Sequence, residues 1–226
     1  MDYSRQTQFN FNMNNRKNFK INSDLKGMKG RILFVIVIIL TIVLFQSFKT
    51  MPANKTEEQK YSIVRKYKDF EIRFYPSATI ATINSNAKTY RELSGPGFQK
   101  LAGYIFGGNE TNTKISMTTP VQMDINDSVS TMSFVMPSAY TKENLPKPKD
   151  PGVQIKNTAE EYVAVIRFGG YASDKDLKFY SQKLQSLLKE NNITSFGNYR
   201  FLGYNSPFQF AGRRNEIIVA VEWKAK

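Results

Sequence analysis

Tyr162–Asn191 reads YVAVIRFGGYASDKDLKFYSQKLQSLLKEN, and within this one stretch the hydrophobic period changes from that of a strand to that of a helix. Tyr162–Phe168 is aliphatic and aromatic, and Gly169-Gly170 breaks it. Asp174 is a capping residue type, and Leu177, Tyr180, Leu184, Leu187 and Leu188 then fall on one stripe of a helix running to about Asn191. Tyr199–Tyr204 (YRFLGY) and Glu216–Trp223 (EIIVAVEW) follow as strands. The same succession is written once before. Tyr61–Tyr67 and Phe70–Tyr75 alternate around Lys68-Asp69 as a hairpin, and Ala78–Ile83 (ATIATI) continues as a strand. After the Gly95-Pro96-Gly97 break, Phe98, Leu101, Ala102 and Ile105 predict a helix over Phe98–Phe106, stopped by Gly107-Gly108. Lys114–Met117, Val121–Ile125 and Thr131–Met136 read as strands, and Pro137–Gly152, with four prolines, as a loop. The fold class is α+β, an antiparallel sheet in two halves with one helix each. At this length one closed or nearly closed sheet is expected.

Composition removes several chemistries. The chain of 226 residues has no cysteine and no histidine. It therefore has no thiol nucleophile, no thiolate metal site, no Ser-His-Asp system and no imidazole ligand for zinc or haem iron. Gly107-Gly108-Asn109 and Gly169-Gly170 lack the form of a phosphate-binding loop. The net charge of +13 raises the question of nucleic acid. The basic residues of the second part are dispersed among acids, so no nucleic-acid partner is expected.

The N-terminal region reads differently. Residues 1–31 form a basic tail, with seven lysines and arginines against Asp2 and Asp24. Ile32–Phe48 (ILFVIVIILTIVLFQSF) is free of charge between Arg31 and Lys49. Such a run is at the short end for crossing a bilayer, and its basic flanks extend its reach. A cleaved signal peptide is the rival reading, but the preceding region is long and no small-x-small cleavage site follows. An uncleaved single-pass anchor over 32–48 is therefore expected, with the tail cytoplasmic and the following domain on the non-cytoplasmic side. Residues 49–60 (KTMPANKTEEQK) read as a linker and 61–226 as the domain.

Several stretches of that domain form a specific series: FEIRFY at Phe70–Tyr75, GFQKLAGYIFGGN at Gly97–Asn109, ISMTTPVQM at Ile115–Met123, MSFVMP at Met132–Pro137 and LPKPKDPGVQI at Leu145–Ile155. VAVIRFGGYASD at Val163–Asp174, YNSPF at Tyr204–Phe208 and GRRNEI at Gly212–Ile217 complete it. Together they resemble the SOUL haem-binding family, over essentially all of Tyr61–Trp223. The resemblance implies a distorted antiparallel β-barrel of two quasi-repeats, each with one helix, similar to gyrase-inhibitor-like domains. It also implies non-covalent binding of haem or another tetrapyrrole, or of a flat apolar small molecule, in a groove beside the first helix and under the loop Tyr204–Gly212. The residues expected at that groove are Phe98, Lys100, Leu101, Tyr104, Ile105, Tyr204, Phe208, Phe210, Arg213 and Glu216.

Each of these also has a plainer reading. Leu101 and Ile105 suit ordinary core. Arg213 and Arg214, adjacent in a strand, point to opposite faces, and either suits a propionate or a structural salt bridge with Glu216. Thr118-Thr119-Pro120 reads as a strand-entry turn. Iron, if coordinated, would have to be held by a residue such as Tyr104, Met117, Met123, Met136 or Tyr204. A slot without an axial ligand would bind more weakly and discriminate less between haem and metal-free porphyrin. The alternative function is a small-molecule hydrolase or effector-binding domain built on a buried Glu216 and a tyrosine such as Tyr61, Tyr162, Tyr171 or Tyr204. With no histidine, cysteine or metal cluster, the expectation is a binding protein and not an enzyme.

Overall fold

A computed structural model describes residues 36–41, 56–206 and 208–224. Residues 36–41 are helical and exposed, and the remainder of the expected anchor, with the basic tail and most of the linker, lies outside the described residues. Among the described residues no helix is long and apolar enough to cross a membrane. The folded unit begins at Thr56, five residues before the expected domain start.

Eleven strands and two helices are described in this unit: β1 (Glu57–Glu58), β2 (Ser62–Lys66), β3 (Glu71–Tyr75), β4 (Thr79–Ser85), α1 (Tyr90–Ile105), β5 (Thr118–Thr119), β6 (Val121–Asp124), β7 (Ser130–Val135), β8 (Val153–Asn157), β9 (Glu161–Phe168), α2 (Asp174–Glu190), β10 (Ser195–Gly203) and β11 (Asn215–Val221). Nine strands form one antiparallel sheet in the order β2-β3-β9-β11-β10-β6-β7-β4-β8. β4-α1-β6-β7 and β9-α2-β10-β11 are the two quasi-repeats. In each, the last strand lies between the other two, and the halves join where β6 pairs with β10. The outer strands are exchanged: β3, which precedes the first repeat, pairs with β9, and β8, which precedes the second, pairs with β4.

The sheet is open, which corrects the expected barrel. β2 and β8 end the order and do not meet. β2 (SIVRK) is exposed throughout and carries Arg65 and Lys66, and β8 (VQIKN) carries Lys156. Short, charged edges of this kind resist further pairing.

Alternation splits the sheet into two faces. Ile217, Val219 and Val221 of β11 pack with Ala164, Ile166 and Phe168 of β9 into the main core, under both helices. Ile218, Val163, Val165, Leu202 and Tyr75 form a smaller cluster on the other face, against which Tyr61 and Tyr204 pack. β9 reads as a continuous apolar run because both its faces are covered. The helices lie on the main-core face: α1 over β4, β7 and β8, α2 over β9, β11 and β10.

α1 begins eight residues before the expected helix. The Thr89 side chain caps it by accepting from Glu92 N at 3.2 Å, and Glu92 Oε2 accepts from Lys88 N at 2.8 Å. This capping outweighs Gly95-Pro96-Gly97, which reads locally as a break. Gly97 serves packing, since a Cβ there would lie 3.0 Å from Met132 Cε and 3.3 Å from Ile83 Cδ1. In α2 the cap is Ser173, which accepts from Asp176 N at 3.3 Å. Asp174 instead accepts from Tyr90 N at 2.5 Å and so ties the starts of the two helices together. Three strands escaped the sequence reading, among them β5, read as a turn. Lys114–Met117, expected as a strand, makes only an isolated bridge between Lys114 and Phe106. β1 consists of two glutamates and exists through parallel pairing with β5, and β8 emerges from the proline-rich loop.

Gly97→Val is expected to lower unfolding free energy by about 1–3 kcal/mol through overpacking. Gly103→Ala, where nothing lies within 4 Å, is expected to raise it by about 0.5–1 kcal/mol. Denaturant midpoints of the two variants check both.

Candidate functional site: a slot at the seam of the two repeats

α1 packs over β4, β7 and β8 and α2 over β9, β11 and β10, and the seam strand β6 lies between the two helices' main contacts. A cleft of about 380 Å³ opens there. Its floor is a row of side chains set side by side by the strand register. Phe201 of β10 pairs with Ile217 of β11 on one side and with Met123 of β6 on the other. Tyr199 and Ile125, one pleat further along, extend the row.

The facing wall is one stripe of α2: Asp174, Leu177, Lys178 and Ser181. The next residues of that helix face, Leu184 and Leu188, are fully buried, whereas Leu177 is only half buried. Burial along this face thus deepens from the first turns of α2, where Tyr180 stacks on Phe168 at 4.2 Å, to the last. At the end of the slot β10 bulges between Phe196 and Arg200. Gly197 there has φ +72° and nothing within 4 Å of where a Cβ would stand. Only glycine adopts that backbone without strain and leaves the mouth unobstructed.

The slot is apolar at its floor and polar at its rim, where Lys178, Asp174 and Asn198 stand. One polar group lies deeper. Tyr199 Oη is buried, with the Ser195 side chain beside it. Burial raises the pKa of this phenol, and a hydrogen bond with the Ser195 side chain opposes the rise.

The ten residues expected at the groove are not brought to one place. Leu101, Tyr104 and Ile105 are buried core under α1, and Tyr104 Oη donates to Pro146 O at 2.9 Å. Phe98 packs on Phe134, and Lys100 is exposed. Phe208 and Phe210 are 81% and 83% exposed on the loop after β10. Arg213 Nη1 donates to Ser206 O and Gln209 O of that loop, and its guanidinium lies 4.3 Å from the Tyr171 ring.

Glu216 and Tyr204 meet on the opposite face of the sheet. The Glu216 carboxylate is fully buried. Arg73 Nη2 at 3.2 Å and Arg214 Nε at 2.9 Å donate to its Oε1, and Arg73 Nη1 at 2.9 Å and Tyr204 Oη at 2.8 Å to its Oε2. An ionised carboxylate has about four acceptor directions, and here all are taken. None is left for a substrate proton. Burial and the Glu216 charge push the Tyr204 phenol far up, so it remains a donor. Glu58 of β1 accepts from Arg214 Nη1 at 2.7 Å, and Tyr61 packs at a tilt against Tyr75 and under the Arg73 guanidinium, so the N-terminal segment covers the cluster.

A model of the SOUL heme-binding protein family matches residues 56–220. The chain belongs to the SOUL family. Heme-binding protein 2 of Mus musculus and that of Homo sapiens are each 31% identical over 156 residues, spanning 66% of this chain and 76% of theirs. Heme-binding protein 1 of Xenopus laevis is 30% identical over 155 residues, spanning 66% of this chain and 81% of its own. Among solved structures, the EcmrR C-terminal domain matches with a TM-score of 0.52 at 10% identity, over 72% of this chain and 98% of that one. A hydrolase from Listeria innocua matches with a TM-score of 0.50 at 10% identity, over 70% and 94%. These two show a shared fold alone.

Of the site residues, sequence reading named Met123 as an iron-ligand candidate. It missed Tyr199 and the α2 stripe. The signal available was the alternation Tyr199, Phe201 in β10 against Asp174, Leu177, Lys178, Ser181 at helical spacing.

Glu216→Leu leaves two buried guanidiniums without their shared partner and is expected to cost about 3–5 kcal/mol of stability. Arg73→Leu added to it recovers part of that loss, which a double-mutant cycle in urea measures. A second expectation concerns alkali. Burial pushes the Tyr104 phenol up to about 12 from 10.0, the Tyr140 charge adding to the shift. The folded state therefore keeps a proton that the unfolded chain releases. The stability this contributes is present below about pH 10 and is lost as pH rises toward about 12. Tyr104→Phe should flatten that alkaline decline in denaturant midpoints.

Proposed function

We propose that this protein binds haem or a related tetrapyrrole non-covalently, without an imidazole ligand, in the slot at the seam of its two repeats. The observation that carries the reading is the shape of the slot in a chain of this family: a flat apolar floor faced by one helix stripe, a site for a plate-like guest. About 380 Å³ is at the small end of ligand pockets. The ring therefore inserts by an edge, and its acidic edge stays at the rim with Lys178. Apolar area buried at about 25 cal/mol per Å² supplies affinity from the ring alone, after association costs. The ring and its metal would supply any redox or ligand chemistry, and the protein's own residues bind it, orient it and exclude water from one edge.

Membrane tethering belongs to the same proposal. It is supported by the charge-free run 32–48 and the basic residues before it, a pattern that favours a non-cytoplasmic domain acting as a carrier, buffer or sensor. The glutamate on which the enzymatic alternative rests, Glu216, is committed to Arg73, Arg214 and Tyr204.

Haem added to the full chain in mild detergent is expected to give a shifted Soret band that saturates near one equivalent and is extractable by acid-acetone. No spectral change at micromolar haem would falsify the reading. The tether is checked separately: full-length protein should stay with bilayers through a high-salt wash, and a chain lacking residues 1–48 should wash off.

A further inference from the structure

We propose, resting on the non-cytoplasmic placement inferred above, that Asn192 is the N-glycan acceptor of the folded unit and that the fold closes its other acceptor motifs to sugar. Asn-x-Ser/Thr, with x other than proline, occurs at Asn54, Asn109, Asn126 and Asn192. Asn54 precedes the folded unit and lies outside the described residues. By motif the other three are equal.

They differ in how the two hydrogens on each side-chain nitrogen are used. A glycan replaces one of these hydrogens, so an asparagine whose Nδ2 already donates twice loses a bond on modification. Asn109 is fully buried, and its Nδ2 donates to Tyr104 O at 3.1 Å and to Thr113 O at 2.8 Å. Its Oδ1 accepts from Thr113 N at 3.0 Å and from Thr111 Oγ1 at 3.2 Å, so the hydroxyl of the motif is drawn in too. Asn126 is half buried, and its Nδ2 donates to Asp124 Oδ1 at 3.2 Å and to Val129 O at 3.0 Å. Its Oδ1 accepts from Ser128 N at 2.9 Å and Val129 N at 3.0 Å, and these bonds shape the turn between β6 and β7.

Asn192 follows α2 at φ +54°. Its backbone N donates to Lys189 O at 3.1 Å, and Ile193 N donates to Leu188 O at 2.9 Å, the paired bonds of a left-handed helix end. Ile193 packs against the main core, while Asn192 and Thr194 on either side of it are exposed. Backbone bonds and the Ile193 contact hold this turn. Among the described residues neither the Asn192 carboxamide nor the Thr194 hydroxyl makes a hydrogen bond. Both amide hydrogens are therefore free, beside an exposed hydroxyl of the required type.

The sugar donor is an oligosaccharide carried on a lipid diphosphate, and the transferase of that compartment catalyses the step. Asn192 Nδ2 bonds to the anomeric carbon, the bond from that carbon to the diphosphate oxygen breaks, the amide gives up one proton and the lipid diphosphate leaves. Nothing is oxidised or reduced. A chain bearing sugar on Asn109 cannot reach the packing described above, and a chain bearing it on Asn192 can.

The test translates the full chain in the presence of microsomal membranes that hold the transferase. Every chain carries Asn54→Gln, so a mobility step reports on the folded unit alone. The folded unit should be protected from added protease, and one glycan-sized step should appear that peptide N-glycosidase removes. That enzyme leaves aspartate at the acceptor, and peptide mass should place the change at Asn192. Asn192→Gly, which suits the left-handed backbone, and Thr194→Val should each abolish the step, and Asn126→Gln should keep it. A folded unit open to protease, with no step, overturns the non-cytoplasmic placement and the assignment with it. Protection without a step, or with a step that survives Asn192→Gly, overturns the assignment and leaves the placement standing.

Discussion

The pairing of β6 with β10 is the contact on which the rest of the architecture depends. Through Arg200–Asp124, Phe201–Met123, Leu202–Gln122 and Gly203–Val121 it joins a five-stranded and a four-stranded part into one sheet. Without it each half would be a small sheet with a helix on one face and an open edge, too little to bury a core of its own. The same pairing creates the site. The slot opens along this junction, between β6, β10 and the first turns of α2, with the β10 bulge at Gly197 at its end.

The two faces of the sheet solve different problems. On the helix side burial is apolar, and the slot interrupts it. On the other side no helix is available, and the sheet is closed off by a charged and aromatic cluster around Glu216, with Tyr61 and Glu58 from the N-terminal segment laid over it. A buried carboxylate held by two guanidiniums and a phenol is costly to assemble and more costly to break. That arrangement explains why the glutamate, a conspicuous acid in the sequence, works as structure. Its presence beside tyrosines suggested acid-base chemistry. The arginine at position 73, more than a hundred residues away, is what removes that option.

Much of the fold was readable before any coordinates. The strand-then-helix change of period in Tyr162–Asn191, the hairpin at Lys68-Asp69 and the two-round succession all follow from local side-chain spacing, and local spacing is what a sequence displays. Errors arose where a distant partner decides. Gly95-Pro96-Gly97 looks like a stop, but Thr89 and Glu92 cap a helix that runs through it, and Gly97 fits under it because Met132 lies against the backbone. β1 is two glutamates with no strand signal, ordered by β5. Sheet closure was expected from the strand number and did not occur, because the edges are short and charged.

For the site, the sequence by itself determined the inventory: no histidine, no cysteine, a slot-sized set of aliphatic and aromatic residues in each strand, and the motifs of the SOUL family from Phe70 to Ile217. That inventory removes imidazole and thiolate from any metal contact. Only the tertiary structure decided which of the described tyrosines are already engaged. Tyr104 and Tyr204 are as prominent in the sequence as Tyr199, and both are satisfied by groups far along the chain. Hydrogen-bond satisfaction is a property of the folded neighbourhood, set by which backbone carbonyl or carboxylate arrives beside each hydroxyl, and no spacing along one chain encodes it.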